Sequence, residues 1–195
     1  MNIAFFASGN GSNMQAIIDS CKFSDLPIIP SLVISNNSSA YALERAKNEN
    51  IPNIHISSKN LQNKNSESEA ILSALAKYNI DLIVLAGYMK KISSDILSKY
   101  NNKIINIHPT LLPKYGGEGM YGMNVHNAVF SAKEQYSGAS VHFVTEKYDE
   151  GKVILQEQIN IEKCNSPEEI AQAVLKLEHK IYWQAIKKLI QTKLI

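Results

Sequence analysis

Short apolar runs alternate with segments of helical periodicity along the first half of the chain. Buried parallel strands read as continuous apolar runs, as LIVLA at residues 82–86 does. This alternation is typical of a parallel sheet wound with helices. The sequence therefore predicts an α/β fold: a Rossmann-like, open, mostly parallel sheet with helices on both faces. The predicted strands are 3–7, 31–35, 53–56, 81–86 and 103–107, and the predicted helices are 14–21, 40–48, 68–77 and 93–100.

The pattern changes after residue 108. A Gly-rich loop leads to a predicted helix near 125–132, and the β-rich stretches SVHFVTE and VILQEQINI are joined by KYDEGK, which predicts a hairpin added to the sheet. A long helix follows, opened by Ser166 as N-cap, Pro167 at the first helical position and Glu169 as the second half of a capping box. The length of 195 residues predicts a single domain, 1–195.

Charge and cysteine content limit the class of protein. Twenty Lys and Arg against 18 Asp and Glu give a formal net charge of +2, too small for a dedicated nucleic-acid binder. The first apolar run, Ile3 to Ala7, has no basic residue before it, so we interpret it as a strand and not a signal peptide. Cys21 and Cys164 match no paired spacing. We expect a cytoplasmic protein without a membrane span or a metal site.

The stretch SGNGSN, residues 8–13, lies between the first predicted strand and helix. Its glycines allow close backbone approach and its end forms a helix N-terminus, which favours binding of a phosphate group. Met14 stands where a dinucleotide fingerprint needs a third glycine, and the second strand is followed by Asn36 and Asn37 instead of an acid. The alternative is a tight turn with a capped helix.

Asn106 and His108 lie two residues apart at the end of a predicted strand, so both side chains point to one face. Pro109 then ends regular structure, and an ordinary turn is the alternative reading. Asp149 lies in the KYDEGK connection, where an acid usually serves the turn. It gains a function if it faces a histidine, because a carboxylate fixes the tautomer of imidazole and favours its cation. The remaining histidines read as packed or surface residues: His55, His126, His142 and His179.

Four motifs in sequence order, SGNGSN, AGYM, NIHPTLLPKY and SVHFVTEKYDEGKVILQ, make the chain similar to the folate-dependent formyltransferases. The likeness runs from Met1 to at least Tyr182 and is strongest to the phosphoribosylglycinamide formyltransferases. The resemblance implies that 10-formyltetrahydrofolate gives its formyl group to the amine of glycinamide ribonucleotide in purine biosynthesis. It implies direct transfer through a tetrahedral intermediate, with neither a metal nor a covalent enzyme intermediate.

The resemblance also implies roles for particular residues. Asn106 and His108 face the formyl group, and Asp149 holds His108. Lys64 stands where the family commonly has an arginine, so the charge is kept while the bidentate fork is lost. The implied contacts to the ribonucleotide are Gly11, Ser12, Asn13 and Glu178. The implied contacts to folate are Lys64, Met89, Lys90, Lys91, Ile92, Asn106, Thr145, Glu146, Lys147 and Tyr148.

Rival functions remain open at this stage. A 10-formyltetrahydrofolate hydrolase has the same trio with water as nucleophile, but we expect such an enzyme to carry an additional N-terminal domain. A non-catalytic sugar-phosphate binding module needs only SGNGSN. A transferase acting on initiator methionyl-tRNA is expected to add a C-terminal domain. We expect small-molecule substrates, no nucleic acid, no membrane, and a monomer or weak homodimer.

Overall fold

The computed structural model of the protein describes residues 1–23, 26–58 and 65–192, with the side chains of 65 and 66 outside that description. Within these ranges the strands form one sheet in the order β3-β2-β1-β4-β5-β6-β7. The strands are β1 Asn2–Phe6, β2 Ile29–Ser35, β3 Asn53–His55, β4 Leu82–Leu85, β5 Ile104–His108, β6 Tyr136–Phe143 and β7 Val153–Asn160. The helices are α1 Ser12–Phe23, α2 Tyr41–Asn48, α3 Asn65–Lys77, α4 Ser94–Lys99, α5 Met123–Ser131 and α6 Pro167–Gln191. The predicted open, mostly parallel sheet is confirmed.

The chain divides into two compact units, the first comprising Met1–Ile105 and the second beginning at Asn106. In the first unit, β1 pairs in parallel with β2 and β4, and β2 pairs in parallel with β3. The apolar run Ile3 to Phe6 is completely buried, as is Leu82 to Val84. Continuous apolar sequence is what strands covered on both faces require.

The second unit contains the predicted hairpin, in which β6 pairs antiparallel with β7. Helix α6 packs against β6, β7 and α5. Its buried side chains recur at helical spacing, as Ile170, Val174, Ile181 and Tyr182 show, so one stripe of the long helix faces the core. None of the helices in the described ranges is both long and apolar enough to cross a bilayer.

Strand β6 differs most from the prediction. It begins at Tyr136 and ends at Phe143, whereas the apolar pattern favoured residues 140–146. Gly138 occurs in its first half because a Cβ there would collide with the carbonyl oxygen of Glu157 and the side chain of Leu111. Close packing requires a glycine at this position, and glycine weakens the sequence pattern by which a strand is predicted.

The N-terminus of α6 confirms Ser166 as the cap and Pro167 at the start of the helix. The Glu169 amide donates to Ser166 Oγ at 3.2 Å. The Glu169 carboxylate accepts from the backbone N–H of Asn165 at 2.7 Å, one residue before the cap, where a capping box would use the N–H of Ser166 itself.

Removing this cap is expected to lower the free energy of unfolding. Ser166→Ala leaves the Glu169 N–H without its side-chain acceptor, a loss of about 1 kcal/mol. Chemical denaturation of the two proteins measures the difference. Ser166→Asp, which keeps an acceptor oxygen at the cap, is the matched control and should stay close to the wild type. Equal losses in both variants would contradict a capping role.

Candidate active site

The loop at residues 8–11 and the start of α1 form the predicted phosphate site in the first unit. Gly11 has φ +71°, and a Cβ at this position would lie 2.7 Å from the Cβ of Ala42, so a side chain is excluded by both backbone and space. The Gly11 carbonyl accepts from the Gln15 amide at 3.0 Å, which starts the helix. Ser12 and Asn13 are half-buried in its first turn. A 12-residue helix that opens behind a glycine presents the N–H groups of its first turn to an anion.

Ser8 fixes the shape of this loop, a role that the sequence did not reveal. Its hydroxyl donates to Asn36 Oδ1 at 2.6 Å and accepts from the Met89 amide at 2.7 Å. Its own amide donates to the Gly87 carbonyl at 2.9 Å. One serine therefore connects the carboxyl ends of β1, β2 and β4. Its position directly after the first strand is the available sequence signal.

The segment 89–92, predicted to contact folate, follows β4. Met89 is 61% exposed, Lys90 and Lys91 are exposed, and Ile92 is buried. Lys90 Nζ lies 2.6 Å from each carboxylate oxygen of Glu67, which is buried at the start of α3. A cavity of about 190 Å³ borders this pair. The positive charge of Lys90 is therefore balanced by the Glu67 carboxylate. The sequence did not predict this ion pair.

The other predicted substrate contacts are spread over both units. Lys64 lies outside the described residues. Thr145, Glu146, Lys147 and Tyr148 are exposed in the connection after β6, where Lys147 forms an ion pair with Glu150 at 3.2 Å. Glu178 is buried on α6 at 8% exposure. Their roles toward a ligand stay predictions.

His108 ends β5 in the second unit and is 4% exposed. Its Nδ1 lies 3.5 Å from Asp149 Oδ2, and its Nε2 lies 2.7 Å from the Tyr115 carbonyl oxygen. A carbonyl oxygen only accepts, so Nε2 carries a hydrogen and donates it to Tyr115. An imidazolium can donate to both neighbours at once. The structure thus brings together the histidine and the aspartate of the predicted trio.

Asp149 is held in the β6–β7 connection with φ +57°, an uncommon conformation for a residue other than glycine. Its Oδ2 accepts from the Gly117 amide at 2.9 Å. Its Oδ1 lies 3.5 Å from His142 Nε2, so the carboxylate faces two imidazoles. Backbone strain of this kind concentrates at functional sites, where surrounding contacts hold it in place.

Asn106, the third member of the trio, contacts His142. Its Nδ2 lies 3.2 Å from His142 Nε2, while His142 Nδ1 lies 2.9 Å from the Phe143 carbonyl oxygen. Burial lowers the pKa of His142, and the nearby His108 lowers it further, which favours the neutral ring. His142 did not stand out in the sequence. The signal available was a histidine inside a strand whose residues are otherwise small or apolar.

This geometry fits the stabilisation of a negative oxygen. An amide N–H and an imidazole N–H are the donors that proteins aim at oxyanions, and the carboxylate beside the imidazole offsets its positive charge. Within the described ranges, no cluster of three or more His, Cys, Asp or Glu side chains is arranged to hold a metal ion.

Comparisons with known proteins agree with this chemistry. A phosphoribosylglycinamide formyltransferase of Haemophilus influenzae is 40% identical over 185 residues, which are 95% of this chain and 85% of that protein. A chloroplastic phosphoribosylglycinamide formyltransferase of Arabidopsis thaliana is 35% identical over 94% of this chain, which spans 63% of that relative's length. The crystal structure of glycinamide ribonucleotide transformylase 1 from Symbiobacterium toebii superposes with a TM-score of 0.90 at 33% identity, covering 99% of this chain and 88% of that one.

The family description "Formyl transferase" matches residues 1–186, which is nearly the whole sequence. This match and the likeness to relatives along most of their length agree with the motifs at the ends of β1 and β5. The chain belongs to the formyl transferase family.

Proposed function

We propose that this chain is a phosphoribosylglycinamide formyltransferase of de novo purine biosynthesis. It transfers the formyl group of 10-formyltetrahydrofolate to the amine of glycinamide ribonucleotide and releases tetrahydrofolate. One observation carries the proposal in a chain of this family: His108 Nδ1 lies 3.5 Å from Asp149 Oδ2. His108 ends strand β5, and the same strand contains Asn106.

The reaction needs no covalent bond to the protein. The amine nitrogen attacks the formyl carbon, a C–N bond forms, and the carbonyl electrons move to oxygen. Asn106 and His108 donate hydrogen bonds to this oxyanion. The intermediate then collapses, the bond to the folate nitrogen breaks, and a proton passes from the attacking amine to the leaving nitrogen through water.

His108 must change partner during this cycle. At rest its Nε2 donates to the Tyr115 carbonyl at 2.7 Å. Asp149 contacts the opposite nitrogen, so it holds the ring in place while the substrate oxygen replaces the Tyr115 carbonyl as the acceptor from Nε2. The proposal thus gives Asp149 an orienting and charge-balancing task, and leaves the proton transfers to substrate atoms and water.

The ribonucleotide phosphate is assigned to Gly11, Ser12 and Asn13. The helix N-terminus and the close approach allowed at Gly11 support this assignment. Glu178 is assigned to the ribose or glycinamide end of the same substrate by resemblance. Its burial on α6 is consistent with a carboxylate that is shielded from bulk water.

The folate is assigned to the segment 89–92, to Asn106 and to the loop 145–148. Exposure of Met89 and Tyr148, at 61% and 46%, supports this assignment because bare apolar surface is what a pteridine ring can cover. The pairing of Lys90 with Glu67 gives Lys90 a structural role in addition to any contact with the folate. Lys91 and Lys64 stay assigned by resemblance.

Three broader features are kept as proposals. One domain, residues 1–195, carries the activity. The protein works in the cytoplasm on small molecules, and it is a monomer or a weak homodimer.

A direct assay tests the function. Purified protein comprising residues 1–195 is incubated with 10-formyltetrahydrofolate, with and without glycinamide ribonucleotide, while tetrahydrofolate and formylated ribonucleotide are both measured. We expect the two products in equal amounts, and only when the ribonucleotide is present. Folate turnover that ignores the ribonucleotide would indicate the hydrolase, and binding without turnover would indicate a binding module.

Asp149→Asn is expected to cut kcat by roughly 10²- to 10⁴-fold, because it removes the charge while keeping a carbonyl oxygen for the Gly117 amide. His108→Ala should do comparable damage. The double variant should be little worse than either, since residues that act as one unit are not additive. Steady-state kinetics with both substrates varied measures these losses.

Glu150→Gln is the matched control for this series. Its carboxylate is 61% exposed and pairs with Lys147, so turnover should stay at the wild-type level. If Asp149→Asn kept most of its turnover, or if the two losses multiplied, Asp149 would be an ordinary turn residue and the mechanism would fail.

Asn13→Leu is expected to weaken ribonucleotide binding and to leave folate binding nearly unchanged, because it places an apolar side chain in the first turn that faces the phosphate. Isothermal calorimetry with each ligand separately measures the change. Asp19→Asn, in the following turns of α1 and half-exposed, is the control and should bind both ligands normally. Equal weakening of both ligands by Asn13→Leu would count against the phosphate assignment.

A further inference from the structure

We infer that His142 is a positioning residue that determines which edge of the Asn106 carboxamide faces the substrate. In this role the unprotonated Nε2 of His142 accepts one N–H of Asn106 and leaves the second N–H for the oxyanion. This inference rests on the proposed function and extends it to a residue that lies within one of the four motifs but that the sequence analysis had interpreted as a packed or surface histidine.

The tautomer of His142 follows from its contact with the backbone. Nδ1 lies 2.9 Å from the Phe143 carbonyl oxygen, which can only accept a hydrogen bond. Nδ1 must therefore carry the hydrogen. In a neutral imidazole the other nitrogen, Nε2, is then left with a lone pair and becomes an acceptor.

The orientation of Asn106 follows from that tautomer. Asn106 Nδ2 lies 3.2 Å from His142 Nε2, and an amide nitrogen can only donate. The flipped carboxamide would set the lone pairs of Oδ1 against the lone pair of Nε2, so it is disfavoured. Because the amide group is planar, fixing one N–H also fixes the direction of the other. His142 thus decides that Asn106 presents a donor to the reacting oxygen.

The arrangement requires His142 to stay neutral. The side chain is 2% exposed and burial lowers its pKa; His108 acts in the same direction, while the hydrogen bond to the Phe143 carbonyl and the charge of Asp149 oppose them. Asp149 Oδ1 lies 3.5 Å from the same Nε2. A protonated Nε2 would donate to that carboxylate, release Asn106 and compete with His108 for Asp149. Burial of the His142 ring disfavours this exchange, because it penalises the charged form.

Two substitutions separate this role from simple packing. In His142→Gln the side-chain oxygen can take the place of Nε2 and accept from Asn106. In His142→Asn the shorter amide can replace Nδ1 and bind the Phe143 carbonyl, but nothing accepts from Asn106. We expect kcat within about tenfold of wild type for His142→Gln and a loss of about 10²-fold or more for His142→Asn, the scale of a misplaced reacting group.

The Michaelis constants should move little in either variant, because the Asn106 contact acts on the transition state. In an Asn106→Ala background the difference between Gln and Asn at position 142 should vanish. Val141→Ala, a fully buried neighbour in β6 without a polar group, is the control, and its effect should be the same with and without Asn106. Equal losses for Gln and Asn, or a difference that persists without Asn106, would overturn the inference.

A spectroscopic measurement does not depend on how the variants fold. Nitrogen-15 NMR of the full wild-type chain labelled at histidine, in neutral buffer, should show Nε2 of His142 as an unprotonated ring nitrogen and Nδ1 as N–H. An unprotonated Nδ1, or a doubly protonated ring, would contradict the inference whatever the activity. If the wild type bound both substrates without formyl transfer, the proposed function would fail while the NMR result could still stand.

Discussion

The loops around His108 in the second unit are connected by one largely buried carboxylate. Asp149 is 11% exposed along its side chain, and a charge so deeply placed is stable only with partners. The Gly117 amide and the imidazoles of His108 and His142 surround it. These contacts connect the β6–β7 turn with the loop after β5 and the ends of two strands. Asp149 and His108 therefore hold the loop at residues 115–117 through the Gly117 amide and the Tyr115 carbonyl.

A hydrogen-bonded network between the hairpin and the turn after β5 holds the segment that follows His108. Ser140 in β6 donates to the Thr110 carbonyl and accepts from the Leu112 amide at 3.0 Å. Gln156 in β7 donates to Ser140 at 2.7 Å and to the Leu112 carbonyl at 3.1 Å. The hairpin therefore anchors the segment that leads from His108 to Tyr115. Satisfied networks of this kind rigidify a core, because each unpaired member would cost free energy.

Local sequence was sufficient to predict the strands and helices, but it was insufficient to predict the side-chain contacts between them. Apolar runs predicted most strands within two residues, and Ser166 and Pro167 predicted the start of α6, because both signals are encoded by neighbours in the chain. The contacts of Ser8, His142 and the Glu67–Lys90 pair join residues that are far apart in sequence, so no spacing rule reveals them. Asp149 and His108 could be paired only by resemblance for the same reason. In β6, where nearly every residue is buried, alternation could not distinguish a histidine that contacts Asn106 and Asp149 from one that only fills the core.

Under the proposed mechanism, the bond from His108 to the Tyr115 carbonyl affects how strongly the site binds the transition state relative to the substrates. This carbonyl behaves as an internal competitor, since any substrate oxygen that reaches Nε2 must displace it. A neutral formyl oxygen exchanges one carbonyl for another and gains little. An oxyanion replaces a neutral acceptor by a charged one and gains the difference, which is the condition for lowering a barrier without tightening substrate binding. Tyr115 contributes this competing acceptor through its main-chain carbonyl, at φ +54°. Substitution of its side chain would therefore not reveal the effect.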